Sequence, residues 1–151
     1  MNQIANFTER IRADVIEQRK LTHSPASAAG EFLSQNGFSF AGTHLLLDFW
    51  DATNLDDLFA MEQTFREAVD AAGATLLRLD FHRFTPSGGL SGLALLAESH
   101  ISIHTWPEHG FAAADVFMCG TASPHKAAQV LKAALRPSRM TIGEHRRGVS
   151  I

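Results

Sequence analysis

The sequence predicts an α+β fold: a two-layer sandwich with a mainly antiparallel sheet and helices on one face. Three observations carry this expectation. Six apolar or alternating runs between Thr43 and His145 have strand character. Two amphipathic helical stretches interrupt them, so the order reads β-α-β-β-β-β-α-β. Short turn-rich loops at 86–89 and 107–110 join central strands, which favours hairpins over parallel crossovers. Two helices are enough to cover one face of such a sheet.

Residues 1–41 read as an N-terminal extension, partly helical, before a folded unit spanning 42–151. Ile4, Phe7, Ile11 and Val15 recur at helical spacing over 3–20, and Ser24-Pro25 ends that pattern. Residues 31–35 are expected to add a short turn of helix, stopped by Asn36-Gly37. The compact apolar run 43–50 is a buried strand. Thr53 or Asn54 is the expected cap of the next helix, with Asp56 and Asp57 in its first turn. Leu55, Leu58, Phe59, Phe65, Val69 and Ala72 form its apolar stripe, and Gly73 stops it.

Strands are expected at 74–84 and 90–98. Ile101, Ile103 and Thr105 then alternate with Ser102, His104 and Trp106, a third strand of period two, and 111–119 gives a fourth. Ser123-Pro124 opens a helix with proline in its first position. Its stripe is Ala127, Val130, Leu131 and Leu135, and 140–145 is the last strand.

Composition excludes several classes of function. The 151 residues favour a single domain. A net charge of -3 without a basic stripe argues against nucleic acid. No apolar run reaches the roughly 18 residues of a membrane helix. Glu9, Arg10, Arg12 and Asp14 do not resemble a signal peptide. The single cysteine, Cys119, rules out an internal disulfide. A cytoplasmic location fits these features.

The densest chemistry lies between Gly92 and Glu108. Ser99 sits at a strand junction, with His100 and His104 close by in sequence, and a hairpin would bring Cys119 back toward it. A hydroxyl, an imidazole and a thiol together point to acyl chemistry. Against this stand the ordinary readings of a strand histidine as structural and a lone cysteine as buried filler. A hydrolase triad is rejected, because Ser99 lacks the Gly-x-Ser-x-Gly elbow. His100 and His104, joined by His82, His109 or His145, invite a zinc site. No Cys-x-x-Cys or His-Glu-x-x-His spacing supports it, so no metal is expected.

Glu98-Ser99-His100, Ile103-His104-Thr105-Trp106-Pro107-Glu108 and Asp115-Val116-Phe117-Met118-Cys119-Gly120 closely resemble prokaryotic S-adenosylmethionine decarboxylase. Phe81-His82-Arg83-Phe84, Ser91-Gly92 and Glu144-His145-Arg146-Arg147-Gly148 extend the resemblance over residues 42–148. It implies a proenzyme that cleaves itself between Glu98 and Ser99, leaving a pyruvoyl group made from Ser99 as its cofactor. That group forms a Schiff base with the substrate amine and takes up the charge left by CO₂, as pyridoxal phosphate does elsewhere.

The resemblance further implies His104 as the processing base, Ser91 as its assistant and Cys119 as the acid that reprotonates the substrate carbon. Phe84 and Trp106 would contact the adenosyl and sulfonium groups, and Glu108 the ribose. The implied substrate is S-adenosylmethionine, supplying aminopropyl groups for spermidine synthesis, and the implied assembly is a homodimer of processed protomers with sites near the interface. The 86–91 loop is slightly longer than the common family form. His109 stands where tyrosine is usual, and Met118 where threonine is usual. Two rivals to this reading are the same chemistry on ornithine or arginine, and a non-catalytic adenosyl-ligand binding domain.

Overall fold

The computed structural model describes residues 32–35, 37–97 and 99–150. Among these residues are eight strands and two α-helices. The strands are β1 (Leu33–Gln35), β2 (Phe38–Phe40), β3 (Gly42–Trp50), β4 (Leu76–Arg83), β5 (Leu90–Leu96), β6 (Ser99–Trp106), β7 (Phe111–Cys119) and β8 (Arg139–Arg147). The helices are α1 (Leu58–Ala72) and α2 (Pro124–Leu135). Strands β3 to β8 form one sheet in the order β4-β5-β6-β7-β3-β8, with every pairing antiparallel. The α+β sandwich is therefore as expected from the alternation of apolar residues.

Leu45, Leu47, Phe49, Ala94, Ile101, Ile103, Ala114 and Val116 point from the sheet into a core shared with Met61, Phe65 and Val69 of α1 and Ala127, Leu131 and Leu135 of α2. Full burial of each large side chain contributes roughly 1.5–3 kcal/mol. Among the described residues, no helix lies over the other sheet face. Leu46, Leu93, Leu95, Trp50 and Trp106 lie exposed there, between 37% and 47% accessible.

The caps of α1 differ from expectation. Asp57, not Thr53 or Asn54, is the N-cap, and its side chain accepts the N–H of Ala60 at 3.0 Å. Thr53 Oγ1 and Asn54 Nδ2 instead donate to the carbonyls of Leu135 and Ala134, at 3.2 and 3.0 Å. They satisfy the carbonyls that the end of α2 leaves without helical partners. Gly73 closes α1 in the left-handed conformation, φ 72°. Pro124 occupies the first turn of α2, as expected.

Residues 33–35 are strand, not the helical turn expected at 31–35. They pair with β2 in a hairpin, and Gly37 adopts φ 82° at the turn. Asn-Gly is a strong hairpin signal, and here its turn chemistry outweighs helical propensity. The hairpin is tied to the C-terminal segment by Ser39 and Ser150, whose backbones exchange bonds of 3.0 and 2.8 Å. The helix expected over 3–20 lies outside the described residues.

Candidate active site

Strand geometry determines which of the expected site residues can meet. On β6, Ser99, Ile101, Ile103 and Thr105 are buried toward the helices, while His104 and Trp106 are exposed on the open face. Side chains alternate along a strand, so the odd spacing of Ser99 and His104 sends them to opposite faces. Five residues of strand also separate them by roughly 16 Å. Within one chain, His104 is therefore not brought to Ser99.

Two separate pairs form instead. Ser99 is 6% exposed, and its Oγ accepts the backbone N–H of Cys119 at 3.1 Å. Ser91 on β5 faces His104 on β6, and Ser91 Oγ lies 2.7 Å from His104 Nδ1. The tautomer of His104 sets the direction of that bond. His82 faces Ser91 from the other side, on β4. Glu98 lies outside the described residues.

At the Ser99 end of the sheet, Gly42 on β3 faces Cys119 on β7 and Arg147 on β8. A Cβ added to Gly42 would stand 2.5 Å from the Met118 carbonyl oxygen and 3.1 Å from Cys119 Sγ. Phe117 Cε2 would lie 3.0 Å away, so the bare glycine lets the Phe117 ring and the thiol close over its backbone.

At the opposite end, Trp106 and Phe84 are 40% and 48% exposed. Gly89 lies between their strands, accepting the N–H of Phe84 at 2.8 Å. A Cβ on Gly89 would strike the Thr105 carbonyl oxygen at 2.6 Å. Glu108 is exposed on the short 3₁₀ turn Pro107–His109. The rings of Trp106, Phe111 and Trp50 continue across the face, with centroids 5.5 and 4.5 Å apart.

A polar chain crosses the middle of the open face. Ser102 Oγ donates to Asp115 Oδ2 at 3.2 Å, and Arg147 Nη1 donates to His44 Nδ1 at 3.3 Å. That bond leaves the His44 proton on Nε2, which lies 3.3 Å from Asp115 Oδ1 but is poorly aligned for hydrogen bonding. The neighbouring His100 has its pKa lowered from 6.5 by burial first and the charge of His44 second, with Asp115 opposing. Among the described residues, no group of three or more His, Cys, Asp or Glu side chains is placed to hold a metal ion.

The family model for S-adenosylmethionine decarboxylase matches residues 43–148. The chain belongs to that family. S-adenosylmethionine decarboxylase proenzyme from Thermomicrobium roseum is 45% identical over 111 residues, covering 73% of this chain and 96% of the relative. The proenzyme of the same name from Methanococcus maripaludis is 43% identical over 111 residues, with 72% and 90% covered. In three dimensions, the adenosylmethionine decarboxylase of Aquifex aeolicus superposes with a TM-score of 0.66 at 33% identity, covering 74% of this chain and 94% of that one.

Gly42 and Arg147 went unassigned in the sequence reading. The signal that finds them is register: both lie in one row with Cys119 across β7, β3 and β8, a relation between residues far apart in sequence. The separation of Ser99 from His104 did have a sequence signal, the odd spacing within an alternating strand.

Proposed function

We propose that this chain is an S-adenosylmethionine decarboxylase proenzyme that cuts itself between Glu98 and Ser99 to make a pyruvoyl group. One observation carries the reading: the family match spans the Ser99 junction, where the Ser99 hydroxyl is buried and held by the Cys119 N–H. Ser99 Oγ attacks the carbonyl carbon of Glu98 and converts the peptide bond to an ester. Loss of the Ser99 α-proton then eliminates the chain ending at Glu98. The dehydroalanine left at 99 takes up water, releasing ammonia and leaving pyruvoyl. That carbonyl supplies an electron sink once joined to the substrate amine.

The chain's own residues do the remaining work. Cys119 donates the proton that replaces CO₂. Imidazole is a competent base near neutral pH, and Ser91 orients His104 through its Nδ1. His104 reaches Ser99 from a second copy of the chain. Supporting this, the Cys119 side chain and the Ser91–His104 pair lie at opposite ends of one sheet face that no described helix covers, and Ser99 is held beside Cys119 by its backbone N–H. A two-fold axis lying over this face and crossing the strands would bring each end onto the other. The exposed Leu46, Leu93, Leu95, Trp50 and Trp106 supply the apolar area that a face-to-face homodimer would bury.

Phe84, Trp106 and Glu108 share the His104 end and suit a cationic, adenosyl-bearing substrate better than a bare diamino acid. The test is denaturing mass spectrometry, followed by CO₂ release from S-adenosylmethionine, ornithine and arginine side by side. Fragments 1–98 and 99–151, with turnover of S-adenosylmethionine, are expected, and Ser99→Ala should remain intact. A wild-type chain that never cleaves would remove the enzymatic reading. Turnover of a diamino acid alone would overturn the substrate assignment.

A further inference from the structure

We infer that Arg147 is a substrate-binding residue whose guanidinium receives the α-carboxylate of the amino-acid substrate. The inference rests on the decarboxylase reading above. Cys119, Gly42 and Arg147 share one row at the Ser99 end of the open face. Adjacent strands lie about 4.8 Å apart, so Cys119 and Arg147 face each other across roughly 10 Å. The residue between them, Gly42, adds no side chain of its own, and Phe117 Cε2 and Cys119 Sγ lie 3.0 and 3.1 Å from where its Cβ would stand. The result is a row with a thiol on one side, a guanidinium on the other and the edge of the Phe117 ring between them.

The guanidinium is held on the open face by His44, two positions along β3 from Gly42. His44 Nδ1 accepts from Arg147 Nη1 at 3.3 Å, and Asp115 lies 3.3 Å beyond on the far side of the His44 ring. This contact uses one of the five N–H donors of arginine and leaves a fork suited to a carboxylate. The adjacent Arg146 turns the other way, with its guanidinium 5.0 Å from the Phe40 ring centroid. Alternation along β8 thus delivers one of two consecutive arginines to the site.

The chemistry requires a cation here. An α-amino acid held through its amine at position 99 carries its carboxylate on the same carbon that Cys119 later protonates. That carboxylate must therefore lie beside the thiol, on the side of it that Arg147 borders. The product has lost this group and so loses the contact. Arg147 thereby distinguishes substrate from product and acts on binding more than on the chemical step.

The experiment compares wild type, Arg147→Gln and Arg147→Lys, each checked for self-cleavage by denaturing mass spectrometry. Initial rates give KM for S-adenosylmethionine, and product inhibition gives Ki for decarboxylated S-adenosylmethionine. Arg147→Gln should cleave normally and raise KM roughly ten- to hundredfold, the size of a charge-assisted pair. Its product Ki should stay within about twofold of wild type, and Arg147→Lys should recover part of the loss, since it keeps the charge without the fork. An unchanged KM, or KM and Ki rising together, would overturn the inference, the latter marking a structural role. Failure of Arg147→Gln to cleave, where wild type cleaves, would also overturn it by placing the guanidinium in processing or folding. An uncleaved wild type would instead count against the decarboxylase reading itself.

Discussion

Ser91 Oγ and His104 Nδ1 lie 2.7 Å apart on the open face, while Ser99 lies five residues from His104 and faces the helices. The hydrogen-bonded pair and the scissile junction are fixed at opposite ends of one rigid strand. No rotation of the His104 side chain spans roughly 16 Å of β-structure. Self-cleavage assisted by His104 therefore needs two chains.

The first prediction follows from this. Ser99→Ala and His104→Ala should each abolish or strongly slow cleavage when expressed alone. Coexpressed, they should form mixed dimers in which an intact Ser99 meets an intact His104. Cleavage of the His104→Ala chain, read by mass after differential tagging, is the expected outcome. Its complete absence in verified mixed dimers would return His104 to its own chain.

The second prediction concerns Gly42. Its added methyl would meet backbone at 2.5 Å and Cys119 Sγ at 3.1 Å, so β3 or β7 must shift. Gly42→Ala should cost about 1–3 kcal/mol, the usual range for overpacking, and should slow decarboxylation more than self-cleavage. Gly143→Ala is the control. Its methyl would make ordinary contacts at 3.6 and 3.7 Å with Leu46 and His145, and urea unfolding should find it nearly neutral.

The third prediction concerns Thr105. Its Oγ1 accepts the N–H of Leu90 at 2.7 Å and donates to the Leu55 carbonyl at 2.7 Å, all in the interior. Thr105→Val keeps the shape and leaves both backbone groups without that partner. Each unsatisfied buried group costs roughly 1–3 kcal/mol. The midpoint of urea unfolding should fall with little change in slope, while Thr105→Ser should retain most of the stability.

The fourth prediction concerns His100. Burial and the nearby His44 hold its pKa below 6.5, with Asp115 partly offsetting them and Arg147 bonded to His44. The folded state therefore binds a proton at His100 less readily than the unfolded chain does. Stability is unaffected well above the unfolded pKa and declines as pH falls through 6.5 toward the lower folded value. Thermal melts between about pH 8 and pH 5 should show a smaller acid loss in His100→Asn than in wild type. Equal losses would show that other groups carry the effect.

Local chemistry made most elements legible in the sequence. The alternation of Ile101, Ile103 and Thr105 revealed β6, and Ser123-Pro124 revealed the start of α2. The insertion of β3 between β7 and β8 was not legible, because it joins residues some seventy to one hundred positions apart, such as Leu45 with Val116 and Glu144. The Asn36-Gly37 hairpin was misread because the same dipeptide stops helices and turns strands. Of the candidate site, the residue types were legible from motif. Their division was legible only in the odd spacing of Ser99 and His104 along an alternating strand, which sets them on opposite faces but does not say what each then meets.

The separation of His104 from Ser99 also bears on time and dilution. On the two-chain reading proposed above, a newly made chain carries a cleavable bond but not the means to cut it. Maturation then begins as a second-order event, with a rate that climbs with the square of the chain concentration until pairing saturates. A cell holding few copies would keep them as dormant precursor, and the level of synthesis itself would set when activity switches on.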